Sequence, residues 1–275
     1  MLKPNFGLKV DGVDLTRVGQ KKMDGLLSDL DRYGLLLFPR QLFTDSDIVQ
    51  FGRRIGDLEL SSRRVCLSEE HPEISYLTNF LREDGSPLGF PGSDTDYWHS
   101  DQQHRKNPAT LAILYCVVPP RVAGETSFVS TAIDSSLPVD GATLERLSAV
   151  RAQYEPAHNH DNVDKRRVEH PAILQSAASE RSYLYVSENT ISFSGIGREE
   201  FGNIKKRCLE GILAPDRIYR HKWAAGDFIL YDNAQLLHRR EAFEGSRWLK
   251  ATKIFAPKDR FAVPEGEWAD SDQTR

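Results

Sequence analysis

The fold of this sequence is decided by the stretch Thr110-Leu111-Ala112-Ile113-Leu114-Tyr115-Cys116-Val117-Val118. It is a nearly continuous apolar run of strand length, and Pro119 and Pro120 follow it directly. A run that is apolar at odd and even positions alike is buried on both faces, as in the inner layer of a β-sandwich or barrel. We therefore predict a mainly β protein with residues 110–118 as a central strand.

Shorter strand-like stretches lie on both sides of this run along the chain. They are apolar or alternating, they are bounded by turn residues, and they occupy residues 7–15, 35–38, 124–130, 183–187, 228–231 and 250–255. Apolar residues at helical spacing predict packing helices within residues 23–33, 44–55, 144–150 and 201–212. The pattern predicts a β-sandwich or jelly roll with flanking helices, formed by a single domain over residues 1–275.

The composition excludes several classes of protein. The 36 basic and 40 acidic residues give a net charge of -4, which offers no broad basic face for nucleic acid. Cys66, Cys116 and Cys208 are odd in number and widely spaced, so we expect buried thiols in a reducing compartment. The N-terminus lacks an apolar signal core and no apolar run approaches the length of a membrane span. These features predict a cytoplasmic protein with no membrane partner.

A metal site is indicated by the stretch Tyr97-Trp98-His99-Ser100-Asp101. Residues i and i+2 of a strand point to the same face, so His99 and Asp101 can chelate one ion. The best third ligand is His238, which follows the apolar run 228–231. Two histidines and one carboxylate on one side of an octahedral ion form the facial triad of non-haem Fe(II) oxygenases, with three positions left open.

Two other segments attract attention for different reasons. The stretch from Glu83 to Asp96 is dense in Gly, Pro, Ser and Asp, which predicts a long loop leading into the metal ligands, where loops often cover a site. A second metal site is conceivable at a polar cluster that contains His158, His160, Asp161 and Asp164. A solvated loop is the better interpretation of that cluster, because no strand or helix is predicted to fix the ligands.

The sequence resembles the taurine dioxygenase (TauD/TfdA-like) family of Fe(II)/2-oxoglutarate-dependent oxygenases over most of its length. The resemblance rests on blocks in the family's order: Gly12-Val13-Asp14-Leu15, Tyr33 to Phe38, Trp98 to Asp101, Gly124-Glu125-Thr126, His170-Pro171, Gly226-Asp227 and Asp232-Asn233 before His238. It implies a double-stranded β-helix, which is a jelly-roll and cupin-like fold. It also implies that His99, Asp101 and His238 bind the iron, and that Thr126 and Arg247 bind the carboxylate of 2-oxoglutarate remote from the metal.

The sequence departs from the family pattern at two positions. The arginine after the distal histidine comes slightly early, so Arg239, Arg240 or Lys250 is an alternative or additional contact for 2-oxoglutarate. Relatives that bind a sulfonate carry a second arginine four residues after the first, whereas this chain has Ala251 there. That difference argues against an alkylsulfonate substrate, and the presence of Asp101 argues against the halogenase branch of the family.

The resemblance implies an enzyme that uses Fe(II), 2-oxoglutarate and O2 to hydroxylate, desaturate or otherwise oxidise a C–H bond, with succinate and CO2 as coproducts. The expected substrate is small and polar, amino-acid-derived or carboxylate-bearing. The expected substrate-facing residues are Tyr97, Gln102, Gln103 and His104, with Asn79 and Phe90 as weaker candidates.

Two rival functions have different requirements. A non-catalytic metal-binding jelly roll, acting as a sensor or store, keeps the triad but does not need Thr126 and Arg247 directed at a dicarboxylate. Demethylation of nucleic acid or protein needs a basic groove or a peptide channel, which the acidic balance disfavours. Because relatives often form dimers or tetramers, a homo-oligomer is also consistent with the resemblance.

Overall fold

The computed structural model describes residues 1–60, 67–90, 96–156 and 164–269, and it shows a mainly β chain with a few helices. Within these residues the helices are α1 (Gln20–Tyr33), α2 (Asp45–Arg53), α3 (Gly141–Ser148) and α4 (Arg198–Ile212), and a 3-10 turn covers Leu15–Arg17. The strands are β1 (Leu8–Lys9), β2 (Leu35–Phe38), β3 (Ser75–Thr78), β4 (Leu111–Val118), β5 (Val122–Ala123), β6 (Thr126–Ser130), β7 (Arg151–Tyr154), β8 (Val168–Pro171), β9 (Ile173–Gln175), β10 (Ser182–Leu184), β11 (Ser192–Phe193), β12 (Tyr219–His221), β13 (Phe228–Asp232), β14 (Leu236–Arg240), β15 (Phe243–Glu244), β16 (Trp248–Ile254) and β17 (Glu267–Trp268).

The largest sheet has six strands in the order β1-β2-β13-β4-β16-β3 and contains the predicted central strand. Strand β4 pairs antiparallel with β13 on one side and with β16 on the other. Its alternate residues enter two different apolar layers: Ile113 packs with helices α1 and α2, while Leu114 belongs to the layer that contains Phe128 of β6. The burial of both faces that the sequence predicted for this run is confirmed.

A second sheet, with the strand order β12-β6-β14, lies across that apolar layer from the six-stranded sheet. Its other face contributes Val129 and Leu237 to a third apolar layer, which is closed by helices α3 and α4 and by the four-stranded sheet β11-β7-β8-β17. The molecule is therefore built of two facing sheets with helices on the outside. Strand β14 delivers His238, and β6 delivers Thr126.

Most local predictions agree with the structure, and the differences concern length. Helix α1 ends at Gly34, which takes a φ of 71°, and helix α2 begins with the predicted capping box of Thr44 and Asp47. The predicted edge strand at 7–15 is reduced to Leu8–Lys9, and the strand predicted at 183–187 is Ser182–Leu184. None of the helices in the described residues is long and apolar enough to cross a membrane.

The polar cluster near residue 160 falls largely outside the described residues, as do Cys66, residues 91–95 of the predicted covering loop and the tail from 270 onward. Of that cluster the structure describes Asp164, which forms an ion pair with Arg166 at 2.6 Å. Cys116 and Cys208 are buried free thiols, as predicted. Burial raises the pKa of each thiol to about 12, so both stay protonated at neutral pH.

Gly226 forms a tight turn before β13. Its φ is +80°, and a Cβ at this position would lie 2.7 Å from the carbonyl oxygen of Gln41. The turn is fixed by backbone bonds from Gln41 to Gly226 and from Gly226 to Cys116, at 2.8 and 2.9 Å. We expect Gly226→Ala to lower the free energy of unfolding by about 2–4 kcal/mol, from left-handed strain and the clash together. Urea unfolding followed by circular dichroism measures this change.

The matched control is Gly25→Ala. Gly25 is exposed in helix α1, and a Cβ added there would meet nothing within 4 Å outside its own helix. Alanine there is expected to raise the stability by about 0.5–1 kcal/mol. Equal changes in the free energy of unfolding for the two substitutions would show that neither the positive φ of Gly226 nor its close contact with Gln41 excludes a side chain.

Candidate metal centre

His99 and His238 are brought together by direct backbone pairing. Each donates its backbone N–H to the carbonyl of the other, at 3.1 and 2.8 Å. His99 thereby forms an isolated antiparallel bridge with His238 of β14. The two rings lie 4.3 Å apart between centroids. Two distant parts of the chain thus place two imidazoles side by side through their main chains.

Asp101 completes the cluster from a turn. The sequence predicted that His99 and Asp101 share one strand face, whereas the structure places Asp101 in the turn that follows the bridge. Its carboxylate oxygens lie 3.7 Å from the Nε2 atom of His99 and 3.7 Å from that of His238. Within the described residues these three side chains form one group of metal-ligating atoms, all within 4.8 Å of one another.

The protonation of the cluster suits a divalent metal. The Nδ1–H of His99 donates to the carbonyl of Tyr97 at 2.9 Å, which leaves the Nε2 lone pair for an ion. Burial, with His99 as a neighbour, lowers the pKa of His238 to about 3, so this ring is neutral at pH 7. Burial alone would raise the pKa of Asp101, but Lys253 and the two histidines hold it far below its usual range.

The residues therefore offer one carboxylate and two neutral imidazoles, which is the ligand set of the facial triad. Ligands on neighbouring positions of an octahedral ion lie about 3 Å apart, so small side-chain movements close the observed gaps. Three positions of such an ion are left for other ligands.

Two further side chains contact Asp101, and the sequence analysis found neither. The ammonium of Lys253 on β16 forms an ion pair with Oδ2, and the hydroxyl of Tyr231 on β13 lies close to the carboxylate. Burial and the charge of Asp101 raise the pKa of Tyr231 well above its usual value, so its hydroxyl keeps its proton. Both residues reach Asp101 from the six-stranded sheet. Sequence alternation gave no sign of this contact because strand register was unknown.

Thr126, Arg247 and His238 each border the apolar layer between the two sheets, beside Trp223, Cys116 and Phe128 respectively. Thr126 pairs with Arg240, two residues along β14 from His238, so it is displaced from the metal cluster by about 7 Å along the strand. The indole N–H of Trp223 donates to the Thr126 hydroxyl at 3.0 Å, which leaves the hydroxyl proton available to a ligand.

Arg247 is buried to 3% exposure, and its Nε atom has no hydrogen-bond partner among the described residues. Within that part of the chain its guanidinium forms no ion pair. Burial, together with the nearby Arg240, lowers the pKa of Arg247 to about 10, so it remains charged at neutral pH. A buried charge without a partner is costly, and a bound anion would relieve that cost.

The three alternative cations occupy different surroundings. Arg240 and Arg247 lie over the same ring of Phe243, at 5.2 and 5.5 Å from its centroid. Arg239 instead donates to Glu241 at 3.0 Å, and Lys250 forms an ion pair with Asp45 of helix α2 at 2.5 Å. Arg240 is therefore the alternative that shares the surroundings of Arg247.

The predicted substrate-facing residues have different surroundings in the structure. Tyr97 is 37% exposed and its ring lies 4.9 Å from that of His99. Gln102 takes a φ of 63° and its side chain bonds Glu59 and the backbone of Ala109.

The remaining candidates have other neighbours. Gln103 is 2% exposed and accepts a bond from Ser187 at 2.6 Å, which places its side chain in a buried layer, and His104 is half-buried. Phe90 is partly buried, and its backbone N–H donates to the carbonyl of Tyr76 in β3 at 2.8 Å.

Asn79 has a supporting position. Its side chain accepts from the N–H of Arg247 at 3.0 Å and donates to the carbonyl of Gly245 at 2.9 Å. The hydroxyl of Thr78 donates to the carbonyl of Arg247 at 2.8 Å. These bonds fix the main chain on both sides of the buried guanidinium.

The chain is similar to known proteins over most of its length. The family model described as "Taurine catabolism dioxygenase TauD, TfdA family" matches residues 1–252. The chain is 26% identical over 259 residues to (S)-phenoxypropionate/alpha-ketoglutarate-dioxygenase of Sphingobium herbicidovorans, covering 86% of this chain and 87% of that protein. It is 24% identical over 265 residues to alpha-ketoglutarate-dependent 2,4-dichlorophenoxyacetate dioxygenase of Cupriavidus pinatubonensis, covering 88% of this chain and 91% of that protein.

A solved structure of a taurine dioxygenase from Burkholderia xenovorans has the same fold. The TM-score is 0.80 at 21% sequence identity, and the match covers 98% of this chain and 94% of that one. At this identity the likeness concerns the fold.

Removal of a metal ligand gives the direct test of the cluster. We expect Asp101→Ala and His238→Ala each to weaken Mn(II) binding by more than about 100-fold, because each removes a direct ligand. Electron paramagnetic resonance of free Mn(II) measures the affinity. The control is His71→Ala, a partly exposed histidine outside the cluster, which should bind Mn(II) as the wild type does. Unchanged affinity in the two ligand variants would move the metal site elsewhere.

Proposed function

This chain belongs to the taurine catabolism dioxygenase TauD/TfdA family, and from that membership we propose how its residues carry out the family's reaction. It is a 2-oxoglutarate-dependent dioxygenase that uses Fe(II), 2-oxoglutarate and O2. In our proposal His99, Asp101 and His238 bind the iron, while Thr126 and Arg247 bind the distal carboxylate of 2-oxoglutarate. The bound iron and cosubstrate supply the oxidising power, and succinate and CO2 are released.

The observation that carries this proposal is the buried guanidinium of Arg247, which has no ion-pair partner among the described residues. It lies near Cys116, in the same apolar layer as Phe128, whose ring stacks on that of His238. A guanidinium binds a carboxylate through two parallel hydrogen bonds, and the Thr126 hydroxyl can donate another. The step of about 7 Å along β6 and β14 between His238 and Thr126 suits a short dicarboxylate that reaches from the metal to this pair. Arg240, whose guanidinium lies over the same Phe243 ring, adds positive charge to the same end.

The chain's own contribution is positioning and the exclusion of water. The backbone bridge of His99 with His238 fixes two ligands, and Asn79 and Thr78 fix the main chain of Arg247. The ring of Tyr97 covers the exposed side of His99. These contacts hold the binding groups in place before any ligand arrives, which lowers the cost of ordering them.

For the substrate we propose a small carboxylic acid whose C–H bond is hydroxylated, desaturated or otherwise oxidised. The relatives above act, by their names, on phenoxypropionate and 2,4-dichlorophenoxyacetate, which are both carboxylates. Ala251 packs against the inner layer and supplies no cation there, which supports a substrate other than an alkylsulfonate. Tyr97 remains the best-placed of the predicted substrate contacts, because the side chains of Gln102 and Gln103 bond Glu59 and Ser187.

We further propose that the two facing sheets form a double-stranded β-helix, or jelly roll, and that residues 1–275 are one domain. The shared apolar layer between β4 and β6 supports this proposal. A cytoplasmic location and a homo-oligomer stay predictions of the sequence. A non-catalytic metal store, the alternative raised above, would leave the buried charge of Arg247 without a purpose.

The binding of 2-oxoglutarate tests the assignment of Arg247. Under anaerobic conditions, Fe(II) followed by 2-oxoglutarate should produce a weak visible charge-transfer band, which a titration converts into an affinity. We expect Arg247→Met to weaken 2-oxoglutarate binding by about 10- to 100-fold, because a charged hydrogen-bond partner is lost. The same variant should keep its Mn(II) affinity.

Arg146→Met is the matched control, because Arg146 is exposed and pairs with Glu200 on the outer helices. It should bind 2-oxoglutarate like the wild type. If Arg247→Met also does so, Arg247 is not the cosubstrate's partner. Succinate formation with (S)-phenoxypropionate and with its neutral amide then tests the substrate class, since only the acid should stimulate turnover.

A further inference from the structure

Strand β16 presents two lysines to opposite sides of the six-stranded sheet. Lys253 lies on the inner side, which it shares with Leu249 and Ala251, and its backbone pairs with Ala112 of β4. Lys250 lies on the outer side, where its ammonium binds Asp45 of helix α2. Of the two lysines on β16, Lys253 therefore lies at the metal centre and Lys250 lies at helix α2.

The inner lysine is committed to a metal-ligating carboxylate. The Nζ atom of Lys253 contacts Oδ2 of Asp101, and both side chains are 24% exposed. Another acid close to this part of β16, Glu59, already binds Arg105 and Gln102. Lys253 is thus held at Asp101 by charge, and its position is fixed by the backbone bond that its carbonyl accepts from Glu59 at 2.9 Å.

A carboxylate has two oxygens, and Lys253 contacts one of those of Asp101, Oδ2. An ammonium on one oxygen disfavours bidentate binding of a metal, because the second oxygen would have to leave its hydrogen bond. The positive charge also repels a divalent cation at short range in a partly buried site. Both effects lower the affinity of the triad for metal, and the first keeps a coordination position open for other ligands.

We propose that Lys253 is a positioning residue that restricts Asp101 to one metal-binding oxygen and sets the affinity of the site for divalent metal. The inference rests on the proposed assignment of Asp101 as a metal ligand. Under this proposal Lys253 of β16 acts at the metal, while Arg247, which directly precedes β16, binds 2-oxoglutarate as proposed above. A variant with a neutral side chain at position 253 should therefore bind metal more tightly, and Asp101 should coordinate the metal differently.

The test compares Lys253→Met, Lys253→Arg and Lys250→Met in the full chain. Mn(II) affinity is measured by electron paramagnetic resonance. We expect Lys253→Met to bind Mn(II) more tightly by on the order of tenfold, because a neighbouring positive charge is removed. Lys253→Arg should restore the wild-type affinity, and Lys250→Met should match the wild type.

The spectrum of the bound metal distinguishes positioning from a general effect on folding. The charge-transfer band of the Fe(II)–2-oxoglutarate complex should shift or lose intensity in Lys253→Met and keep its position in the arginine variant. Thermal unfolding of the metal-free proteins shows that each variant is folded at the assay temperature, and Lys253→Gln replaces the methionine variant if that one is not.

Mn(II) binding by Lys253→Met that is unchanged or weaker than that of the wild type would overturn the inference, and so would an unchanged charge-transfer band. Failure of the proposed function gives a different result, because Asp101→Ala would then bind Mn(II) as tightly as the wild type. Unaltered metal affinity in Lys253→Met therefore contradicts the role of Lys253, whereas unaltered affinity in Asp101→Ala contradicts the proposed metal site.

Discussion

The backbone pairing of His99 with His238 is the constraint on which the rest of the site depends. Two main-chain hydrogen bonds fix the separation of the two imidazoles without using any side-chain atom. The turn after His99 carries Asp101, and the Ser100 hydroxyl holds that turn by donating to the carbonyl of Asn233 at 2.7 Å. The geometry of the cluster is thus set by peptide groups, which are the least adjustable parts of the chain.

The positive charge on the inner layer has a different basis. Arg247 is buried with no counter-ion in the described part of the chain, whereas Lys253 is partly buried beside one. The first arrangement leaves a buried charge uncompensated, so it suits a group that binds an anion. The second suits a group that acts on its neighbour. In our proposals these two cations near one strand therefore have different roles, according to whether an acid lies within reach.

Much of this architecture can be predicted from sequence, and the failures have identifiable causes. The apolar run of β4, the capping box at Thr44 and the membership of the triad follow from local pattern. The turn conformation of Asp101 does not, because a spacing of two residues is equally compatible with a strand and with a turn. The contact of Lys253 depends on long-range register, and a bulge between Trp248 and Leu249 shifts that register within the strand itself. Gln102, which was predicted to face substrate, takes a positive φ, and its side chain bonds Glu59, a contact between distant parts of the chain that local pattern does not show.

The alternation along β16 has a consequence for how such proteins diverge. Outer residues such as Lys250 and Thr252 anchor helix α2 and the segment before β3, through Asp45 and the carbonyl of Glu73. Inner residues such as Ala251 contact the layer that faces the site. Because neighbours in sequence serve separate purposes, mutation can alter ligand preference one position at a time while the attachments that maintain folding stay intact. Descendants of one ancestral chain can in this way acquire new chemistries without first losing their stability.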